Sequence, residues 1–228
     1  MLKYHGTPCS PMSVFYEAFT NRNVLIPFPR PDDMKRAVQV ADKIILDNGA
    51  FSIWRKGGTP NWDEFYRWVD NHKANIEFFF IPDVIDGTEE ENNNLVIDYF
   101  LRKQTKGVPI WHVNESLSRL DMLMIDFDYI AIGSAGDYAQ LGTPRWYDKM
   151  HEAMGVLCDK HGKPEVKIHM LRCLDPDIFT KFPFHSGDST NVAMNHNRKG
   201  WEPIMERIEA HDSPKTYTGR RTANLFLD

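Results

Sequence analysis

The sequence predicts an α/β fold: a compact (β/α)8 TIM barrel that occupies residues 1–228 as a single domain. Short apolar runs alternate with amphipathic stretches at helical spacing, and eight such runs can be counted. Several of the runs are continuously apolar, as expected for parallel strands that are buried on both faces. A length of 228 residues is near the short end for this barrel, so a doubly wound open sheet is the structural alternative.

The predicted strands are rich in β-branched and aromatic residues. In chain order they are Leu2–His5, Val24–Phe28, Lys43–Asp47, Ile76–Ile81, Val108–Val113, Tyr129–Gly133, Val166–Leu171 and Phe182–Ser186.

The predicted helices carry apolar side chains at helical spacing on one face. Asn61 and Glu64 form a capping-box pattern before one helix, and Thr143-Pro144 opens another. The apolar faces comprise Met34, Ala37, Val38 and Ala41; Trp62, Phe65, Tyr66 and Val69; Trp146, Met150, Ala153, Met154 and Leu157; and Trp201, Ile204, Met205 and Ile208.

Composition excludes several classes of protein. No apolar run approaches the roughly 18 residues that span a bilayer, and the N-terminus has no signal pattern, so we expect a cytoplasmic protein without a membrane partner. The three cysteines, Cys9, Cys158 and Cys173, are widely spaced and argue against a disulfide framework or a cysteine zinc site. With a net charge of −5, nucleic acid would be bound by local basic patches. Candidates are Arg198 with Lys199, and Lys215, Arg220 and Arg221, although solvated surface is an equal alternative.

Polar residues recur where six successive predicted strands end, and in a (β/α)8 barrel those ends meet around one pocket. Taken singly, Asp83 and Asp188 could cap helices, and His112 and His169 could be buried core histidines. The recurrence favours a functional site. The segments concerned are Asp47-Asn48-Gly49-Ala50-Phe51, Pro82-Asp83, His112 with Asn114-Glu115, Gly133-Ser134-Ala135-Gly136, His169 to Arg172, and His185-Ser186-Gly187-Asp188-Ser189-Thr190.

Two reaction classes suit these groups. Metal-assisted hydrolysis would use His and Asp ligands, but the first strand offers a lone His5 and no HExxH motif occurs. Glycosyl transfer by paired carboxylates needs neither metal nor cofactor: one Asp attacks the anomeric carbon while another group shuttles the proton. We therefore expect a glycosyltransferase without a bound metal or cofactor.

The motifs resemble those of tRNA-guanine transglycosylases, and more closely those of their phage and bacterial relatives that insert 7-deazaguanines into DNA. Asp47-Asn48-Gly49-Ala50-Phe51-Ser52 is similar to the family's Asp-Ser-Gly-Gly-(Phe/Tyr)-Gln loop. Ile81-Pro82-Asp83, Pro109-Ile110-Trp111-His112 and Ala131-Ile132-Gly133-Ser134 follow in the family's order. Phe184-His185-Ser186-Gly187-Asp188-Ser189-Thr190 resembles the Ser-Val-Asp-Ser segment of the DNA-modifying branch.

The resemblance implies a role for each matching residue. Asp188 would be the nucleophile that forms a covalent sugar intermediate, and Asp47 the general acid and base. Asp83 would read the base, and His112 stands where the family has a base-reading Gln. The remaining implied base contacts are stacking by Phe51 and Met170, and hydrogen bonds from Gly133 and Ser134.

The departures from the family bear on the substrate. No cysteine follows Asp188, so the zinc-binding subdomain that helps to dock tRNA is missing, which favours DNA over tRNA. Ala50 and Ser52 also alter the loop around Asp47. The implied partners are DNA (alternatively tRNA) and a free 7-deazaguanine base such as preQ0, with a homodimer or a DNA-delivering protein completing a small binding surface. A nucleic-acid-binding barrel without turnover is the non-enzymatic alternative. The candidates for extracting the target nucleotide from the stack are Trp54, Arg55, Lys56, His196, Asn197 and Arg198, and those for binding nucleic acid are Arg55, Lys56, Arg198 and Lys199. Ordinary loop surface is the alternative for these residues.

Overall fold

The computed structural model describes residues 1–219, which form a nearly closed barrel of parallel strands with flanking helices. The strands are β1 (Leu2–Gly6), β2 (Asn23–Pro27), β3 (Ile44–Asp47), β4 (Phe78–Phe80), β5 (Gly107–Val108), β6 (Ile110–His112), β7 (Tyr129–Gly133), β8 (Lys167–Met170) and β9 (Ser186–Ser189).

Pro109 separates β5 from β6, and this single break explains why nine strands build an eight-stranded barrel. The strand order is β5-β4-β3-β2-β1-β9-β8-β7-β6, so the two ends of the ladder are the two halves of one interrupted strand. Val108 pairs with Phe80 on one side, and Ile110 pairs with Ala131 on the other. Proline has no N–H for the ladder, although the Pro109 carbonyl still accepts from the Ala131 N–H at 2.9 Å. The predicted TIM barrel is thereby confirmed, and the open-sheet alternative is wrong.

Helices follow most strands and cover the outside of the barrel. They are α1 (Met12–Phe19), α2 (Met34–Val40), α3 (Ala50–Arg55), α4 (Trp62–His72), α5 (Glu89–Leu101), α6 (Leu117–Asp126), α7 (Pro144–Leu157), α8 (Pro176–Phe179), α9 (Asn191–Lys199) and α10 (Glu202–Glu209). Short 3-10 turns occupy Pro31–Asp33, Lys73–Asn75 and Gly136–Tyr138.

Helix ends follow the local sequence. Asn61 accepts from the Glu64 N–H at 3.1 Å, and Thr143 caps α7, whose predicted buried face is confirmed. The complete capping box lies instead before α5, where the Thr88 hydroxyl and the Glu91 carboxylate satisfy each other's backbone N–H.

Alternation along the strands divides the core into an interior and an outer layer. The outer layer lies between the strands and the helices, and it contains side chains such as Ile26, Leu46, Ile132 and Met170. The buried interior side chains are Tyr4, Leu25, Ile45, Phe78, Phe80, Val108, Ile110 and Ala131. On the same inward parity lie Asp47, His112, Gly133, His169, Ser186 and Asp188, so the interior changes from apolar to polar toward the carboxyl ends of the strands.

The last predicted strand, Phe182–Ser186, is wrong in position, because β9 begins where that range ends. Phe182 and Phe184 are buried in the outer layer, where Phe182 packs edge-on against Trp146 of α7 at 5.8 Å. The strand itself is Ser-Gly-Asp-Ser, whose polarity hides it from a search for apolar runs.

Across residues 1–219, no helix has the length and apolar character needed to cross a membrane. Arg220 and Arg221, two of the basic residues singled out in the sequence, lie outside the described residues.

Candidate active site

Three carboxylates gather at the carboxyl ends of the strands. Asp47 ends β3, Asp188 lies in β9, and Asp83 follows β4 by three residues. Asp83 and Asp188 are each 5% exposed, whereas Asp47 is partly open to solvent. The charges of Asp188 and Asp83 both act on the Asp47 carboxyl, so the three groups share one electrostatic environment.

Neither Asp83 nor Asp188 caps a helix. The α5 helix is capped by Thr88, and α9 begins after Thr190, whose side chain makes no capping hydrogen bond. The helix-capping alternative is therefore wrong for both residues.

The Asp188 carboxylate is held by one oxygen only. Its Oδ1 accepts from His169 Nε2 at 3.0 Å and from the Arg172 backbone N–H at 3.0 Å. Within the described part of the chain, Oδ2 accepts no hydrogen bond. One carboxylate oxygen is thus fixed by two donors and the other is left free to react.

Asp47 has an acidity suited to proton transfer near neutral pH. Burial and the negative charge of Asp188 raise its pKa from 3.8 to about 7, with a smaller increase from Asp83. The Gly49 N–H and the Arg172 charge oppose the rise. A carboxyl that exchanges its proton near pH 7 can act both as general acid and as general base.

The loop after Asp47 requires glycine and asparagine at adjacent positions. Gly49 has a φ of +77°, and a Cβ there would lie 2.4 Å from Pro29 Cδ. The buried Asn48 side chain accepts from the Ala50 N–H at 2.8 Å and donates to the Ile81 carbonyl at 2.9 Å. These contacts tie the end of β3 to the segment after β4 and set the position of Asp47.

Each oxygen of the Asp83 carboxylate already has a hydrogen-bonding partner within the protein, which the resemblance does not imply. Its Oδ1 accepts from Asn48 Nδ2 and its Oδ2 faces His112 Nε2, both at 2.8 Å. Burial disfavours the charged form of His112, but the hydrogen bond and charge of Asp83, together with the charge of Glu115, outweigh it and raise the His112 pKa. Each Asp83 oxygen keeps one lone pair for a ligand.

His112 Nδ1 is buried and has no partner in the described residues. A Cβ on Gly133 would lie 2.8 Å from this nitrogen, so the absence of a side chain leaves hydrogen-bonding room beside it. With Nε2–H directed at Asp83, the neutral ring presents Nδ1 as an acceptor, and the protonated ring presents a donor.

Glu115 serves a structural role instead of lining the pocket. Its Oε2 accepts from the His112 N–H at 2.8 Å and from Arg119 Nη1 at 2.6 Å, and Asn92 donates to Oε1 at 2.8 Å. Arg119 is 1% exposed, so this buried ion pair fixes the end of β6. The neighbouring Asn114 is exposed.

Arg172 is a site residue whose role the sequence did not reveal. It has a φ of +59°, a strained value for a residue with a side chain, and this conformation aims its N–H at Asp188. Its guanidinium lies 4.1 Å from the Phe51 ring centroid, and its charge lowers the Asp47 pKa. Arg172 was identifiable only as the residue that follows a predicted strand, since its conformation depends on the fold.

The expectation that Met170 stacks on a base is wrong. Met170 is fully buried in the outer layer between β8 and the helices, because the inward position of this strand belongs to His169. Phe51 lies at the start of α3, partly exposed, with Arg172 over its ring.

Three other polar residues have positions that limit their roles. The Ser134 hydroxyl accepts from Trp146 Nε1 at 2.9 Å, which leaves its own hydrogen to donate. His5 lies on the outer face of β1, where it stacks on Phe19 and faces Glu209 at 3.4 Å. His185 lines a cavity at the opposite end of the barrel.

The basic residues predicted to grip nucleic acid fall in two places. Arg55 and Lys56 are exposed at the end of the short α3 helix, which follows β3 beside the mouth, the opening of the barrel at the carboxyl ends of the strands. Trp54 next to them is 45% exposed. Arg198 is exposed at the eighth of the nine positions in α9, about 10 Å along the helix from its start. Lys199 ends that helix.

Two further α9 residues were expected to assist nucleic-acid binding. Asn197 is exposed, whereas His196 is buried, with its Nδ1 3.0 Å from the Ala193 carbonyl. His196 is therefore part of the helix packing. The exposed Arg30, in the loop after β2 that contacts Gly49, is a basic residue at the mouth that sequence reasoning missed.

Across the described residues, no group of three or more His, Cys, Asp and Glu side chains is arranged to hold a metal ion.

Comparison with known proteins identifies the fold alone. No protein-family model and no curated protein sequence matches the chain. A solved structure from Aquifex aeolicus VF5, described only as a structural study, is similar with a TM-score of 0.53 and 15% identity. The similarity covers 92% of this chain and 90% of that one.

Proposed function

We propose that the protein is a base-exchange transglycosylase that replaces guanine in DNA with a 7-deazaguanine base. The observation that carries the proposal is the pairing of Asp47 and Asp188 at one mouth. Asp188 has a free carboxylate oxygen, and its charge helps to raise the pKa of Asp47 to about 7. Double displacement at an anomeric carbon requires this combination of a nucleophile and a proton shuttle.

In the first displacement, Asp188 Oδ2 attacks C1′ of the target nucleotide. The C1′–N9 bond breaks, its electron pair stays with guanine, and Asp47 donates a proton to the departing base. The products are a covalent sugar–Asp188 ester, free guanine and an ionised Asp47.

In the second displacement, Asp47 takes a proton from the incoming 7-deazaguanine while the base nitrogen attacks C1′. The C1′–Asp188 bond breaks and both carboxyls return to their starting states. Two inversions at one carbon restore the original anomer, and the phosphate backbone stays intact.

Base recognition would use the polar groups beside the two carboxylates. A guanine-like base has N–H and exocyclic amine donors, which suit the remaining Asp83 lone pairs and His112 Nδ1. The Ser134 hydroxyl hydrogen suits the base carbonyl, and Phe51 with Arg172 offers a stacking surface. Stacking on an aromatic side chain contributes about 1–3 kcal/mol per base.

DNA is proposed over tRNA because Ser186-Gly187-Asp188-Ser189 resembles the Ser-Val-Asp-Ser segment of the DNA-modifying branch. The exposed Arg30, Arg55 and Lys56 near the mouth suit backbone phosphates. A target inside a duplex must be flipped out of the stack, at a cost of a few kcal/mol.

Covalent trapping tests the proposal most directly. Wild-type protein is incubated with guanine-containing DNA or tRNA, denatured, and examined for a nucleic-acid adduct by gel shift and mass spectrometry. We expect an adduct with DNA that Asp188→Asn abolishes and Asp121→Asn retains, since Asp121 is exposed on α6.

A second arm follows the product. DNA from cells that co-express the protein and a source of free 7-deazaguanine is digested, and its nucleosides are analysed by mass spectrometry. Only unmodified deoxyguanosine, with an active control enzyme alongside, would contradict base exchange. An adduct with tRNA alone would transfer the activity to tRNA. Binding without adduct or exchange, unchanged in Asp188→Asn, would indicate a non-catalytic binding barrel.

A further inference from the structure

We infer that Tyr129, Ser186 and His169 form a positioning chain through the barrel interior, which orients the Asp188 carboxylate so that Oδ2 is its attacking atom. The inference rests on the proposed function for the attack itself. None of the three residues is a catalytic residue, because each acts through Asp188.

The chain is continuous and buried. The Tyr129 hydroxyl contacts Ser186 Oγ, Ser186 Oγ contacts His169 Nδ1, and His169 Nε2 lies 3.0 Å from Asp188 Oδ1. Ser186 and His169 are both fully buried. These contacts join β7, β8 and β9, and they lead from the start of β7 to the mouth of the barrel.

Strand register produces this alignment. His169 pairs with Ser186 on one side and with Ala131 on the other, so the inward side chains of three strands stack closely. Around the imidazole the walls are aromatic, with ring centroids at 4.9 Å for Phe80, 6.0 Å for Phe78 and 6.2 Å for Tyr4. Among the described residues, the two ring nitrogens have no hydrogen-bonding partners besides Ser186 and Asp188.

The direction of each hydrogen bond follows from its neighbours. An ionised Asp188 can only accept, so His169 Nε2 carries the hydrogen. In the neutral ring Nδ1 must then accept from Ser186, whose oxygen in turn accepts from the Tyr129 hydroxyl. Burial raises the pKa of Tyr129, which keeps that hydroxyl protonated. All three bonds therefore point toward Asp188.

The consequence lies in the two oxygens of Asp188. Oδ1 receives the His169 and Arg172 hydrogen bonds, which lowers its electron density and holds the carboxylate plane. Oδ2 keeps its lone pairs for C1′. A carboxylate free to rotate would present either oxygen and would lose the advantage of orientation.

Tautomer measurement tests the chain without relying on activity. The protein is labelled with ¹⁵N-histidine, and the His169 signal is assigned by its loss in His169→Gln. At neutral pH we expect the Nε2–H tautomer with an unprotonated Nδ1, and a shift of the Nδ1 resonance in Ser186→Ala. A proton on Nδ1 in the wild-type protein would overturn the inference.

Matched substitutions test its effect on exchange. Gln places an amide at the position of Nε2, whereas Asn reaches only the position of Nδ1. We expect His169→Asn to lower kcat about 100-fold or more with little change in KM, as removal of one oriented donor does. We expect His169→Gln to stay within about tenfold of wild type, and Tyr129→Phe and Ser186→Ala to lose about tenfold, as lost supporting hydrogen bonds do.

Equal losses in His169→Gln and His169→Asn, with both variants folded by thermal unfolding, would overturn the inference. If His169→Asn does not fold, unchanged kcat in folded Tyr129→Phe would overturn it. The predicted tautomer in a protein that exchanges no base supports the hydrogen-bond chain and contradicts the proposed function. Base exchange by a protein whose His169 carries its proton on Nδ1 supports the proposed function and contradicts the hydrogen-bond chain.

Discussion

The two ends of the barrel differ in the charged side chains that they carry. At the amino ends of the strands, Glu77, Asp128, Lys106, Lys167 and other residues line a cavity of about 240 Å³. Acidic and basic side chains are mixed at this end: Glu77 pairs with Lys43 at 3.2 Å, and Lys106 Nζ donates to the carbonyls of Lys73 and Ile76 at 3.0 and 2.6 Å.

At the carboxyl ends, three carboxylates share a mouth and none forms a salt bridge with Lys or Arg in the described residues. Asp83 and Asp188 are held by histidine, an amide and a backbone N–H, and Asp47 has a raised pKa. Acidic groups that lack a Lys or Arg ion-pair partner cost folding stability, and their clustering at one end supports the site proposed there. In barrels of this fold, active sites lie at that end.

The largest expected effect is the loss of base exchange in Asp47→Asn. Glu77→Gln, at the opposite end of the barrel, is its control. Asn cannot transfer a proton, so base exchange should fall about 10²–10⁴-fold. Glu77→Gln removes a similar charge and should leave exchange within about twofold. Steady-state exchange of labelled guanine measures both. Comparable losses in the two variants would refute the assignment of function to one end.

In the wild-type protein, guanine release should depend on the protonation of Asp47. Because the donor is the neutral carboxyl, the rate of the first displacement should be highest below pH 7 and fall as the pH rises through about 7. Single-turnover release of labelled guanine between pH 5 and 9 measures this. A flat profile over that range would show that Asp47 is not the acid.

The Asp47→Asn substitution should stabilise the fold at alkaline pH. Asp47 has a higher pKa folded than unfolded, so wild-type stability falls as the pH rises from about 4 to 7. A rise in pKa from 3.8 to about 7 corresponds to at most about 4 kcal/mol. Thermal unfolding of Asp47→Asn should therefore show a larger gain over wild type at pH 8.5 than at pH 5. Glu77→Gln should show no such difference, and a gain that is independent of pH would rule out ionisation of Asp47 as its cause.

The smallest expected effect concerns DNA binding beside the mouth. Arg55→Ala with Lys56→Ala removes two exposed cations, so we expect weaker binding of all DNA sequences and a salt dependence reduced by up to about two phosphate contacts. Lys163→Ala with Lys167→Ala, both exposed and remote from the mouth, is the control pair. Fluorescence anisotropy at several salt concentrations measures the DNA affinity of the two double variants. An equal dependence of affinity on salt in both would show that DNA does not bind beside Arg55 and Lys56.

Much of the fold was readable from local patterns. Alternating apolar runs and helical faces predicted the barrel, and seven of the eight predicted strands overlap their observed counterparts well. Asp47, Asp83, His112, Gly133 and Asp188 were identified because each closes or follows a strand, and the ends of parallel strands meet at one edge. These features depend on residues near one another in the chain.

Side-chain parity, register and strain were decided by tertiary structure. The run containing His169 and Met170 is buried on both faces, so periodicity could not tell that His169 faces the interior and Met170 the helices. The contact of Tyr129 with Ser186 joins residues 57 positions apart and depends on the stagger of the strands. Sequence by itself determined which strands end in polar and acidic residues. Only closure of the barrel decided which groups touch, because those contacts join separate strands whose relative positions no local pattern specifies.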